Sequence, residues 1–132
     1  MLTKIQPDKQ KAESLKIMAE ITLQRLETTE LTKYPSNTLT DYYDVLHKIM
    51  EAITLSEGVK FKGKGAHQEL IEYASKKHNL GEPIRQFIQE MREYRNRISY
   101  EGFMINKNYV TLNQEKIKKI INILQEKLKT LT

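Results

Sequence analysis

The residues that break helices are few and clustered in this chain. Its three prolines stand at 7, 35 and 83 and its five glycines at 58, 63, 65, 81 and 102. The stretches between them are long enough to be filled by helices of several turns. Within those stretches the apolar residues recur at alternating spacings of three and four, the period of one helix face. Ala12, Leu15, Ala19, Thr22, Leu26 and Thr29 form one such stripe, which Met18 widens, on a helix that Pro7-Asp8 can start and that ends near Lys33. Tyr34-Pro35-Ser36-Asn37 reads as a turn. Thr38, three residues before Asp41, then has capping-box spacing for a second helix that buries Leu39, Tyr42, Leu46, Ile49, Met50 and Ile53 and stops before Gly58.

Residues 58–65, Gly-Val-Lys-Phe-Lys-Gly-Lys-Gly, read as a flexible basic loop carrying one buried aromatic, Phe61. The loop lacks the preceding strand and the Gly-Lys-Ser/Thr ending that make a phosphate-binding loop specific. A short third helix spans 67–78 with Leu70, Ile71 and Ala74 inward, and Asn79-Leu80-Gly81 closes it. Pro83 sits in the first turn of a fourth helix carrying Ile84, Phe87, Ile88, Met91 and Ile98. Residues 102–110 read as irregular or extended. Thr111 and Gln114 then give a second capping-box spacing before a last helix that buries Ile117, Ile120, Ile121, Leu124 and Leu128. The expected fold is all-α: one domain over residues 1–132, an antiparallel-style bundle of about five helices.

Composition narrows the chemistry. The chain has no cysteine, which removes disulfides, thiolate metal sites and cysteine nucleophiles. No apolar run approaches the roughly 20 residues of a membrane span, and Met1–Gln10 holds no hydrophobic signal core, so a cytoplasmic protein is expected. None of His47, His67 and His78 has the i, i+4 partner of a helical metal site, and no cofactor is expected. The net charge of +5 is uneven. Residues 1–57 hold seven basic and nine acidic side chains, residues 58–132 fifteen and eight, for nets of −2 and +7. Such asymmetry suits a polyanionic partner, although solvated lysine-rich helices produce it too.

The stretch from Met91 to Phe103 carries the densest chemistry, with Arg92, Arg95, Asn96, Arg97, Ser99, Tyr94 and Tyr100 inside ten residues. Arg92 and Asn96 are four apart, as are Arg95 and Ser99, and Arg95 lies three from Ile98, at the margin of the apolar stripe. A guanidinium at the edge of a core needs an anion: a phosphate, whose oxygens match its planar fork, or a carboxylate of a neighbouring helix or subunit. Tyr42, Tyr43, Tyr73 and Tyr94 offer rings for stacking bases, although such tyrosines more often sit at the edge of a core or in a dimer interface with the hydroxyl wet. Lys116, Lys118, Lys119, Lys127 and Lys129 form a basic face on the last helix, at positions the core stripe leaves free.

Arg95-Asn96-Arg97-Ile98-Ser99-Tyr100-Glu101-Gly102 resembles the signature segment of HEPN domains: an arginine, a polar residue, a few variable positions and a histidine. Ile88 to Tyr94, the Glu-Gly-Phe that follows, and the upstream Thr40-Asp-Tyr-Tyr-Asp-Val-Leu with Glu57-Gly58-Val59-Lys60-Phe61 and His67 resemble a small archaeal branch of that family. The resemblance covers most of residues 8–130. It implies a homodimer with two motifs facing one cleft. Many family members cut RNA without metal, the arginine steadying phosphate charge and the histidine moving protons. Others partner nucleotidyltransferases in toxin–antitoxin operons or only bind.

Arg95 and Asn96 match the motif, while Tyr100 occupies the histidine position. A phenol with a pKa near 10 is a poor base at neutral pH. The expected function is therefore an RNA- or nucleotide-binding module, with Arg95, Asn96 and Tyr100 in the site and Arg92, Arg97, Ser99, Lys60, Lys62 and Lys64 contacting nucleic acid. One alternative is a metal-independent endoribonuclease in which Tyr100, Ser99 or a recruited His67 handles protons. The other is a structural helical adaptor whose arginines form intersubunit ion pairs.

Overall fold

The computed structural model describes residues 1–131. Its elements are β1 (Leu2–Lys4), α1 (Lys9–Glu27), α2 (Pro35–Ser56), β2 (Val59–Phe61), α3 (Ala66–Lys77), α4 (Glu82–Glu101) and α5 (Lys107–Lys129). The chain is an all-α bundle with one small two-stranded ribbon, and among the described residues no helix is long and apolar enough to cross a membrane. The organising element is α2, which packs against α1, α3, α4 and α5 and against β2. It buries Tyr42, Tyr43, Val45, Leu46, Ile49, Met50, Ala52, Ile53, Thr54 and Leu55, so its C-terminal half is enclosed on nearly every side. One contiguous apolar cluster joins it to Ala12, Ala19 and Leu26 of α1, Ile71 of α3, Ile88 and Met91 of α4, and Ile117 to Leu128 of α5.

The predicted stripes mostly hold. On α1 the buried positions are Ala12, Ala19 and Leu26, with Leu15 and Thr22 half-buried beside them; the helix ends at Glu27, short of the expected Lys33, and half-buried Thr29 lies just beyond its cap. Met18 does not widen that stripe. It faces solvent with Ile17 and Ile21, because a neighbour one position from Ala19 is turned roughly 100° around the helix. Asp8 caps α1 as expected, its side chain accepting from Lys11 N at 3.0 Å.

Two helices begin earlier than their capping-box spacings indicate. Pro35–Asn37 is the first turn of α2 rather than a turn preceding it. Proline suits that turn because its φ is already helical and its missing N–H would have had no partner. Thr38 lies inside the helix and donates its hydroxyl to Leu31 O at 2.8 Å, closing the α1–α2 connection. Likewise α5 starts at Lys107, and residues 107–110 are helical instead of extended. Asn106 is the cap, accepting from Asn108 N at 2.8 Å, while Thr111 donates to Lys107 O within the helix.

The segment 58–65 is not wholly a loop. Val59–Phe61 pairs antiparallel with Leu2–Lys4, in the register Leu2↔Phe61, Thr3↔Lys60 and Lys4↔Val59. Phe61 is half-buried and leans on Tyr73, ring centroids 5.5 Å apart. Gly58 makes the pairing possible. It turns the chain out of α2 with a left-handed φ of 80°, and its carbonyl receives Ile5 N at 2.9 Å. A Cβ there would stand 2.8 Å from the Ile5 backbone oxygen. Gly58→Ala should therefore cost about 1–3 kcal/mol in backbone strain and loosen β1. The checks are a lower thermal midpoint and faster hydrogen exchange at the Ile5 N–H; an unchanged midpoint and exchange rate would contradict it.

Candidate functional site

Three side chains from two helices form a stack on the bundle surface. Tyr43 and His47 are four residues apart on α2 and so share a face, and Glu51 continues the same polar row. His67, in the first turn of α3, lies over them. The His47 and His67 rings stack with centroids 3.9 Å apart, and the Tyr43 hydroxyl is 3.3 Å from His67 Nδ1. Tyr43 is buried, His47 half-buried, and His67 open to solvent. Asp44, next to Tyr43, is held by Lys48 at 2.6 Å.

Arg92 and Arg95, one turn apart on α4, supply positive charge to this stack. Their fields act on both Tyr43 and His67, and that of Arg95 also on His47. Arg92 is oriented by its Nε donating to Gln89 Oε1 at 2.7 Å, and the exposed Glu93 approaches it at 3.8 Å. Arg95 is half-buried and meets no carboxylate within ion-pair distance among the described residues; its Nη1 reaches only the Asn96 side-chain oxygen, at 3.5 Å. The guanidinium at the core's edge is thus left unneutralised. A neighbouring cleft of about 140 Å³ opens beside the rings, lined by His47, Glu51, Thr54, Lys60, Phe61 and His67.

The surroundings hold the rings neutral. Desolvation, then the charge of His67, with smaller effects from Lys48 and Arg95, bring His47 down to about 4, against a partial opposing pull from Asp44. His67 is lowered by desolvation and then by Arg95, with Glu51 opposing. Burial pushes the Tyr43 hydroxyl up to about 12, although both arginines favour its anion. Tyr43 therefore keeps its proton and can donate it in a hydrogen bond to Nδ1 of a neutral His67, which places the ring proton on Nε2. If His67 gains a second proton, the same hydroxyl oxygen can turn and accept. The arrangement can hold an anion on two guanidiniums and offer it a proton carrier. Among the described residues, no group of three or more His, Cys, Asp or Glu side chains is placed to hold a metal ion.

The remaining sequence-predicted residues are dispersed. Asn96 lies beside Arg95, half-buried. Ser99 is exposed one turn beyond Arg95. Tyr100 is 81% exposed in the last turn of α4; five residues on from Arg95, it points about 140° away around the helix. Arg97 is drawn off by Phe103, its guanidinium 3.9 Å from the ring centroid, and approaches Glu101 at 4.0 Å. Lys60 lines the small cleft next to His67, while Lys62 and Lys64 are exposed beyond it. The tyrosines make no common stacking surface. Tyr42 and Tyr43 are buried, Tyr73 packs on Phe61, and Tyr94 on Phe103 and Tyr109. His78 caps α3 and pairs with Glu57 at 3.2 Å. On α5 Lys116 sits 4.2 Å over the Phe87 ring, and Lys127 is half-buried. A more open cavity of about 730 Å³ between the end of α1 and α5 is lined by Tyr42 and Lys118 but by none of the residues of the 92–100 stretch or the basic segment.

The residue that sequence reasoning missed is His47. The signal was the row Tyr43, His47, Glu51 at steps of four, along one face of the helix. Its consequence is measurable. An unfolded His47 would bind a proton near its ordinary 6.5, the native one only near 4. Between those values the unfolded chain holds the extra proton, so this residue's contribution makes stability rise with pH and fall on acidification. The loss from pH 7 to 4 should reach up to roughly 3 kcal/mol from this residue, and His47→Asn should remove it. Urea unfolding at both pH values compares the two proteins, and an equal acid loss in the variant would contradict the assignment.

No protein-family model matches the chain, and neither a curated protein nor a solved structure does.

Proposed function

We propose that this chain is an RNA-binding module of HEPN-like type whose site lies where α2, α3 and α4 meet. Phosphate is held by Arg92 and Arg95, with the neutral His47–His67 stack beside it. The observation that carries the reading is Arg95: a half-buried guanidinium with no carboxylate partner among the described residues, next to imidazoles that add no competing charge. The resemblance around residues 95–102 supports the same arginine. It also supports a homodimer and a nucleotidyltransferase or toxin–antitoxin partner in the cytoplasm. Tyr100 joins such a site only across a dimer, since it is turned away from Arg95 within one chain.

A second reading is metal-independent RNA cleavage, and the position of His67 favours it. In the other tautomer, whose Nδ1–H is donated to the Tyr43 oxygen, the accessible His67 has a free Nε2 that can take a proton from a ribose hydroxyl while the two arginines stabilise charge on the phosphorus oxygens. His67 then fills the role the motif's histidine would have, leaving Tyr100 without one in proton transfer.

Fluorescence anisotropy with a short single-stranded RNA, in chelator, tests the binding reading. Arg95→Ala should weaken binding by about 10- to 100-fold, the usual worth of a charge-assisted hydrogen bond. RNA affinity indifferent to Arg95 would defeat it, and loss of dimer in that variant with unchanged RNA behaviour would favour the adaptor. If product forms in chelator, His67→Gln should slow it by roughly 10²–10⁴ while leaving affinity within a few-fold. Binding without product limits the protein to recognition.

A further inference from the structure

The small cleft beside His67 does not end at Lys60. Lys60 and Leu55 also line a second, open cleft of about 600 Å³, formed by β2 and the segment leading into α1. Lys9, Lys11 and Lys62 surround it with Lys60. These four lysines come from both ends of the ribbon-to-helix junction. Thr3 is the cross-strand partner of Lys60, and Lys62 follows just past the end of β2, its N–H donating to Met1 O at 3.0 Å. Among the described residues none of the four has a carboxylate in ion-pair range; Lys9 donates to the Leu131 carbonyl at 3.0 Å. The one acidic lining residue, Asp8, has a carboxylate oxygen engaged by Lys11 N at the start of α1. Four cations around one hollow repel each other, and a chain of phosphates relieves that repulsion while releasing counterions.

Half-buried Phe61 and the His67 ring line the small cleft with Lys60 and one carboxylate, Glu51, and His67 is also the ring on which the charges of Arg95 and Arg92 act. The two rings give an aromatic wall next to phosphate-holding groups, the arrangement used for single strands, whose bases can turn to a ring while the backbone follows the charge. We infer that the two clefts are one track for single-stranded RNA several nucleotides long, with Arg92, Arg95 and His67 at one end and Lys9, Lys11, Lys60 and Lys62 holding the flanking phosphates at the other. This rests on the reading of the arginine–histidine site as a phosphate site and adds its substrate class: an extended single strand rather than a mononucleotide or a duplex.

The test compares a dinucleotide, a single strand of about eight nucleotides and a duplex of equal length, by anisotropy across a salt series. The double variant Lys11→Ala/Lys62→Ala removes two exposed side chains, and an unchanged thermal midpoint verifies that it folds. The longer strand should bind at least tenfold more tightly than the dinucleotide and than the duplex. In the double variant that advantage should shrink about tenfold and the log–log salt slope should fall by about 1.4, near 0.7 for each phosphate that is no longer neutralised, with dinucleotide affinity unchanged. If Arg95→Ala still abolishes binding but the double variant keeps full length dependence and slope, the track is wrong and the phosphate site stands. A duplex bound as well as the single strand also overturns the track. If no RNA responds to Arg95→Ala, the underlying reading falls first, and the track with it.

Discussion

The structure depends on the enclosure of α2. From Val45 to Leu55 this helix presents apolar side chains in almost every direction, and α1, α3, α4, α5 and β2 each cover part of it. Burial of that kind is the main favourable contribution to a bundle's stability, and it restricts where polar side chains on α2 can stand. The line Tyr43, His47, Glu51 runs along the seam where the beginning of α3 meets α4. Polar groups there escape an apolar environment only by stacking, by hydrogen bonding or by reaching solvent. The His47–His67 stack and the Tyr43–His67 contact are how they do so. The site is a product of the core's geometry, with its histidines held by elements that would pack in this way regardless.

Helix number, type and inward faces were legible because each rests on a local period repeated over several turns. The starts of α2 and α5 were not, because a capping-box spacing is one local signal among competitors: Pro35 and Asn106 begin their helices earlier and leave Thr38 and Thr111 inside. The ribbon was illegible for a different reason. Two strands of three residues carry too little alternation, and their pairing spans nearly sixty positions, from Lys4 to Val59 and Leu2 to Phe61. Of the site, Arg95 could be read from its place at the margin of a stripe, and His67 from its position after a basic segment. His47 was obscured by its neighbour Leu46, since a single histidine among core residues carries no pattern until its partners at steps of four are counted.

Charge shows how sequence order and surface order diverge. Dividing the chain at residue 57 makes the first part acidic and the second basic. The fold does not respect that division. Pairing of β1 with β2 brings Lys9 and Lys11, from the acidic part, to the same hollow as Lys60 and Lys62. A linear tally therefore understates how concentrated the positive charge is at that surface. It also overstates it on α4, where Arg85 is engaged by Glu72 and Glu82, and on α5, where Lys118 lies 3.9 Å from Glu115.

The neutral state of the two imidazoles has a thermodynamic corollary. Each keeps a single ring proton near neutral pH because desolvation and neighbouring cations oppose a further positive charge. An anion settling between the guanidiniums and the rings reverses that local field and raises the proton affinity of whichever ring it touches. Association then draws hydrogen ions from the medium, so the heat of complex formation varies with the ionisation enthalpy of the buffer. The ligand and the proton become cooperative partners: each favours the other's arrival, by the same factor in both directions.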